Sequence, residues 1–361
     1  MKKIDKYLII SVILLMVISL FMIYSASYVW AEYKFNNPFK YVINQGIFSL
    51  IGLILLYIIS KIPHKIYFKN ATKILFICII LLILVLIPGI GIVRNGSRSW
   101  FGIGSFSIQP SEFSKLGLII FTSKYLSCSN KFLKDYKKGV IPILLILFLM
   151  FGLIMLEPDF GTGMIIVVTI ISLLYVSGVD MKFFIILFII GVIGIIVLIV
   201  IAPYRMDRIT SFINPWSDPL GTGFQIIQSL YAIGPGGLFG VGYLNSRQKA
   251  FYLPEPQTDF IFSIVAEEFG IVGTLIILTL FAIILYRGIK ISLNQEDLFS
   301  KYLSFGLIFQ LIVQVIMNLS VVIGLIPVTG VTLPFMSYGG SSLLTSLIGI
   351  GILLNISKND T

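Results

Sequence analysis

"KFFIILFIIGVIGIIVLIVIA", residues 182–202, opens on a lysine and then runs twenty residues without a charge. Crossing the hydrocarbon core of a bilayer as a helix takes about 20 apolar residues, and this stretch supplies them. Runs of the same kind lie at 6–28, 39–60, 72–88, 110–127, 140–156, 160–178, 182–202, 258–287, 299–325 and 336–356, separated by polar breaks. They predict an all-α, polytopic membrane bundle of about ten transmembrane helices. It forms one domain over residues 1–361, with a long structured outer loop at about 203–257 between the seventh and eighth spans. A transmembrane barrel would instead alternate apolar and polar residues over segments of about ten.

Composition agrees. Of 361 residues 57% are hydrophobic and 12% charged, with a mean hydropathy of +1.02; an ordinary soluble domain is about a quarter charged. The first run follows Met1, Lys2 and Lys3. It is too long for a signal-peptide core and has no small-residue cleavage site after it, so it reads as a retained anchor. Cys78 and Cys128 form no metal or disulfide pattern.

A net charge of +10 invites a nucleic-acid reading, but in a membrane protein Lys and Arg first report topology. With the N-terminus inside, 17 of the 26 basic residues fall on inner segments and eight on outer ones. Both termini are then cytoplasmic. The inner lysines suit anionic lipid headgroups, and no basic tract reads as a nucleic-acid site.

Four polar stretches interrupt the hydrocarbon. In "NGSRSWFGIGSFSIQPSEFSKLG", 95–117, Glu112 and Lys115 stand at i, i+3 and pair on one helix face. An acid and a lysine within a span are costly unless paired, so they are either a functional pair or a structural one. "LEPDFGTGM", 156–164, reads as a tight outer turn carrying Glu157 and Asp159, which needs no function. The third is the outer loop, too long for an idle connection and too rich in aromatics for disorder. Within it "GFQIIQSLYAIG" has the spacing of an amphipathic interfacial helix. "LIPVTGVTLPFMSYGGSS", 325–342, is uncharged, and its glycines serve either ligand contact or helix packing.

The outer loop ends in "LPEPQTDFIFSIVAEEFG", 253–270, with four carboxylates: Glu255, Asp259, Glu267 and Glu268. Thr258 reads as an N-cap, which puts Asp259 in the first turn of the eighth span and Glu267 about 12 Å deeper. Asp259 is the reachable acid. There it serves either as a general base of raised pKa or as a helix-dipole partner worth about 0.3–1 kcal/mol. Walker, Rossmann, HEXXH and nucleophile-elbow motifs are absent, and the only histidine, His64, falls on an inner loop. Chemistry would run on carboxylates and basic residues, with or without a bound metal.

The segments "QPSEFSKLGL", "EPDFGTG", "NPWSDPLGTGFQIIQSLYAIGPGGLFGVG", "SRQKAFYLPEPQTDFIFSIVAEEFG" and "IPVTGVTLPFMSYGGSSL" resemble the signatures of the SEDS family. These are the shape, elongation, division and sporulation proteins, among them FtsW, RodA and SpoVE, and the FtsW/SpoVE branch is the nearer. The resemblance implies a peptidoglycan glycosyltransferase that polymerises lipid II into a lipid-linked glycan strand at the outer face. It also implies a class B penicillin-binding protein as transpeptidase partner, alongside other divisome, elongasome or sporulation proteins. By motif, Asp259 matches the catalytic aspartate, Glu112 and Lys115 the essential membrane pair, and the long loop, with Asp218, the shaper of the substrate groove. Ser337, Gly339 and Gly340 complete the supporting set. The departing diphosphate needs positive charge, for which Arg94, Arg98, Arg205, Arg208, Arg247 and Lys249 are candidates, a magnesium or manganese ion being the alternative. A lipid II flippase would depend on Glu112, Lys115 and Glu267 along a path through the membrane more than on Asp259. A scaffold for the transpeptidase would tolerate loss of Asp259.

Overall fold

The computed structural model describes residues 5–94, 96–103, 106–129, 135–201, 212–221 and 223–358. Helices α1 (Lys6–Phe35), α2 (Lys40–Ile59) and α3 (Lys65–Leu86) come first. An antiparallel sheet follows, of β1 (Ile92–Arg94), β2 (Ser97–Ile103) and β3 (Phe106–Ile108). Next come α4 (Pro110–Ser129), α5 (Ile141–Leu156), α6 (Phe160–Val176) and α7 (Met181–Ile201). The short α8 (Phe224–Ile233) lies in the long loop after α7, and α9 (Ile261–Leu293), α10 (Leu298–Val322) and α11 (Gly340–Ser357) complete the chain. Each segment read as a span falls on a helix. Among the described residues six helices, α1, α2, α3, α9, α10 and α11, are long and apolar enough to cross a membrane. The chain is a multi-pass, all-α membrane protein.

Helix is what a bilayer demands, because every backbone group must find its partner within the segment. Where the ladder starts, acids finish the pairing: Leu8 N–H donates to Asp5 at 3.1 Å, Thr162 N–H to Asp159 at 3.0 Å and Ser300 N–H to Asp297 at 3.0 Å. Helices α10 and α11 form the centre of the bundle, while α7 presents Ile186, Phe188 and Ile193 outward. The small sheet, which hydrophobic runs do not announce, lies between α3 and α4.

Two details depart from the sequence expectation. Thr258 does not cap the eighth span: its hydroxyl donates to the Glu255 carbonyl at 2.8 Å, and α9 starts at Ile261. Asp259 therefore sits in the turn before the helix. The span itself is also broken, since Gly270 takes φ 60° and ψ −153° within α9. The loop segment 236–242 fills the break. Val241 and Gly242 donate to the carbonyls of Glu267 and Glu268 at 2.9 and 3.0 Å, and Ile271 and Val272 donate back to Gly237 and Leu238 at 3.0 and 3.1 Å. Backbone groups freed at a kink in hydrocarbon are thus re-paired. Only glycine fits there, because a Cβ on Gly270 would stand 2.6 Å from the Gly240 nitrogen.

Candidate active site

A cavity of about 550 Å³ opens where the sheet, the α5–α6 turn, the Glu255–Phe260 turn and the loop before α11 converge. Glu112 forms part of its floor. Lys115, 1% exposed, lies beneath and donates to Glu112 at 2.9 Å and to Gln314 Oε1 at 3.2 Å. Thr345 gives Glu112 a further hydrogen bond at 3.1 Å, and the Gln314 amide reaches the Thr332 carbonyl at 3.0 Å and Ser342 Oγ at 3.1 Å. One buried ion pair thereby ties α4, α10, α11 and the loop between the last two. Breaking such a pair would strand a charge in low dielectric.

Asp259 lines the same cavity. Its backbone is fixed: Asn318 on α10 donates to the Asp259 carbonyl at 2.7 Å and to that of Val331 at 2.8 Å. Its carboxylate receives no hydrogen bond from the described residues and faces the open volume. The protein closes around it elsewhere, and this burial, then Glu255, then Asp159, push the carboxyl up to about 7. A group of that kind changes protonation near neutral pH.

Asp159, in the turn before α6, also lines the cavity. It accepts from Gln109 Nε2 at 2.9 Å, Ser111 Oγ at 3.3 Å and Thr162 N–H. Beside it, the Glu157 carbonyl accepts from Ser99 at 3.0 Å and from Ser97, pinning β2 to the α5–α6 turn. Burial first and Asp159 next push the Glu157 carboxyl up to about 9, which leaves it neutral at pH 7. The signal in the sequence was the acid pair of "EPDF" itself; nothing local tied it to Asp259, a hundred residues on.

The remaining candidates divide. Arg94, with Trp100 5.7 Å from its guanidinium, lines the cavity, as do Gly339 and Gly340. A Cβ on Gly340 would lie 2.7 Å from the Phe48 ring, so that glycine serves close packing as well. Arg98 lies between the cavity-lining Ser97 and Ser99 and does not line the cavity. Ser337 is a buried loop brace, accepting from Leu333 N–H at 2.8 Å. Asp218 is exposed and outside the cavity lining, with its carbonyl closing a turn at Gly223. Arg205 and Arg208 fall outside the described residues.

Neither Lys249 nor Arg247 lines the cavity, and Lys249 needs correction as a diphosphate ligand. Lys249 is 3% exposed and donates to Glu268 at 2.7 Å and Ser25 Oγ at 3.0 Å. Arg247 points outward, with its backbone N–H on Glu267 at 2.8 Å. Burial makes an unpaired charge prohibitive, so the lysine is consumed by its acid. The two glutamates thus gain a role: Glu268 also takes Ser25 Oγ at 2.6 Å, and Glu267 takes Ser246 Oγ at 2.5 Å. Together they staple the long loop between α7 and α9, and α1, to the N-terminal half of α9.

The family model described as "Cell cycle protein", FTSW_RODA_SPOVE, matches residues 5–361. The chain belongs to this family. Stage V sporulation protein E of Bacillus subtilis (strain 168) is 52% identical over 354 residues, covering 98% of this chain and 97% of that protein. The probable peptidoglycan glycosyltransferase FtsW of Coxiella burnetii is 40% identical over 356 residues, covering 98% and 96%. Among solved structures, a chain of a peptidoglycan synthase complex that coordinates polymerization and crosslinking superposes with a TM-score of 0.79 at 29% identity, over 99% of this chain and 98% of that one. The rod shape determining protein RodA of Thermus thermophilus superposes at 0.73 and 26%, over 99% and 97%. The FtsW/RodA/SpoVE match runs through every segment that builds the cavity.

Proposed function

We propose that the chain polymerises lipid II at the outer face of the bacterial cytoplasmic membrane, with Asp259 as general base. It is a peptidoglycan glycosyltransferase. The observation that carries the catalytic assignment is the contrast at Asp259: a backbone held by Asn318 and a carboxylate left open to the cavity. In the transfer step the 4-hydroxyl oxygen of the acceptor sugar bonds to the anomeric carbon of the donor. Its proton passes to Asp259, and the bond from that carbon to the diphosphate breaks, releasing the lipid diphosphate. A positioned base contributes about 10²–10⁴-fold. Arg94 is the basic side chain among the described residues that lines the cavity, and it is assigned to the departing diphosphate.

Orientation rests on the lysine and arginine distribution, which supports cytoplasmic termini and an outward cavity. The transpeptidase partner, a class B penicillin-binding protein, is supported by the likeness to a synthase-complex chain; divisome, elongasome or sporulation proteins would assemble with both. Among the described residues no three His, Cys, Asp or Glu side chains come together as a metal site. A magnesium or manganese ion would accordingly be held by the substrate diphosphate together with one or two of the cavity carboxylates, where it would offset the charge of the departing diphosphate. The test is polymerisation of labelled lipid II by the purified protein with its transpeptidase, wild type against Asp259→Asn at matched complex formation. Glycan strands from wild type alone are expected; equal strands from both would move the base elsewhere.

A further inference from the structure

Two buried polar atoms beside Asp259 find no partner in the protein. Gln257, two residues before Asp259, is 2% exposed and lines the cavity, yet its Oε1 has no hydrogen-bond partner among the described residues. Thr329, on the loop before α11, also lines the cavity, and its Oγ1 is buried and likewise without a partner among them. An unmade hydrogen bond on a buried polar atom is destabilising, and the great majority of such atoms in folded proteins are paired. Two orphans on the lining of one cavity therefore point to a partner that comes from outside.

Both residues are held in place by their backbone. Tyr338 N–H donates to the Gln257 carbonyl at 2.8 Å. The Asn318 amide donates to the carbonyls of Asp259 and Val331 at 2.7 and 2.8 Å, which clamps the turn before α9 to the loop that carries Thr329. That loop packs on the start of α6, where a Cβ on Gly161 would stand 2.6 Å from the Thr329 carbonyl. Next to Thr329, Gly330 takes φ 73°, and a Cβ there would stand 3.9 Å from Asp259 Oδ2. The bare glycine brings the loop up to the Asp259 carboxylate with no side chain between them.

These groups share one hydrogen-bonding character. Gln257 Oε1 and the Asp259 carboxylate only accept, and Thr329 Oγ1 accepts or donates. A diphosphate has acceptors and negative charge to offer and fits poorly there, whereas a sugar brings hydroxyl donors on adjacent carbons. We infer that Gln257 and Thr329 form a sugar-hydroxyl subsite, which orients the acceptor sugar so that its 4-hydroxyl meets Asp259 and leaves the diphosphate to Arg94. The subsite rests on the reading of Asp259 as base.

The experiment measures KM and kcat for labelled lipid II, with Tm alongside, for the protein with its transpeptidase. The variants are Gln257→Met, Thr329→Val, Thr329→Ser and Asp259→Asn. Met and Val keep roughly the shape of Gln and Thr and remove the orphan atom. Each should raise KM about three- to tenfold, the worth of one hydrogen bond to substrate. Tm should stay level or rise, because the atom removed has no partner in the free protein. Thr329→Ser keeps the hydroxyl and should keep the wild-type KM. Lipid II with its peptide stem cut to the first residue should show the same ratios, since its sugars are unchanged. An unmoved KM in both Gln257→Met and Thr329→Val overturns the subsite, as does a Thr329→Ser as impaired as Thr329→Val. A lowered Tm in both would make the two atoms braces of the fold, and a loss confined to the full peptide stem would put the stem's amides there; either result also overturns it. If Asp259→Asn polymerises like wild type, the base assignment itself falls; if it is silent and the KM values stay put, only the subsite falls.

Discussion

Replacing Lys249 with methionine separates a structural charge from a substrate-binding one. Lys249 Nζ lies 2.7 Å from Glu268 Oε1, with the two side chains 2% and 0% exposed, and the Tyr28 ring centroid 5.0 Å from the ammonium. Removing one partner of such a pair leaves the other charge buried, at about 3–5 kcal/mol. The lower end applies here, because Ser25 Oγ and Ser246 N–H still serve Glu268. A loss of about 3 kcal/mol should lower Tm by about 5 °C in a chain of this size. Tryptophan fluorescence reads it, since Trp30 packs against Phe251 at 5.5 Å in the same region. The double variant Lys249→Met with Glu268→Gln removes both charges and should recover about 2 kcal/mol of the summed single losses. Strictly additive losses, or an unchanged Tm with a raised KM for lipid II in Lys249→Met, would refute the staple and return the lysine to the diphosphate.

Gly270→Ala should cost about 2 kcal/mol or more in the same unfolding measurement, since its positive φ and the 2.6 Å approach of the Gly240 nitrogen leave no room for a methyl group. Lys115→Met should be at least as damaging, because the pair with Glu112 lies fully within the bundle; Glu112→Gln on that background should restore part of the loss. With Asp259 at about 7, wild-type polymerisation should fall about tenfold per pH unit below that value and level off above it, read from initial rates. Stability runs the other way: the folded state holds the Asp259 proton more tightly than the unfolded chain, so stability falls as pH rises from about 4 through 7. Asp259→Asn should accordingly raise Tm relative to wild type at pH 8, and an equal Tm there would contradict a charge-averse site.

The sequence by itself determined the class of molecule. Twenty uncharged residues such as 183–202 can satisfy their backbone in hydrocarbon only as helix, so length and apolarity suffice to place the spans without any knowledge of neighbours. Local spacing likewise paired Glu112 with Lys115, because i, i+3 on a helix is a contact, and motif resemblance marked Asp259. What needed tertiary structure was every relation between distant segments. Asp159 and Asp259 share a cavity only because the α5–α6 turn packs beside the turn before α9. Lys249, indistinguishable in sequence from a phosphate-binding lysine, is used up by Glu268 and by Ser25 from the first helix. The break at Gly270 stayed hidden in an apolar run because its cause, a loop segment inserting its backbone from 236–242, lies about thirty residues earlier. Periodicity reports which residues avoid water; which polar group meets which is settled only by how the helices pack.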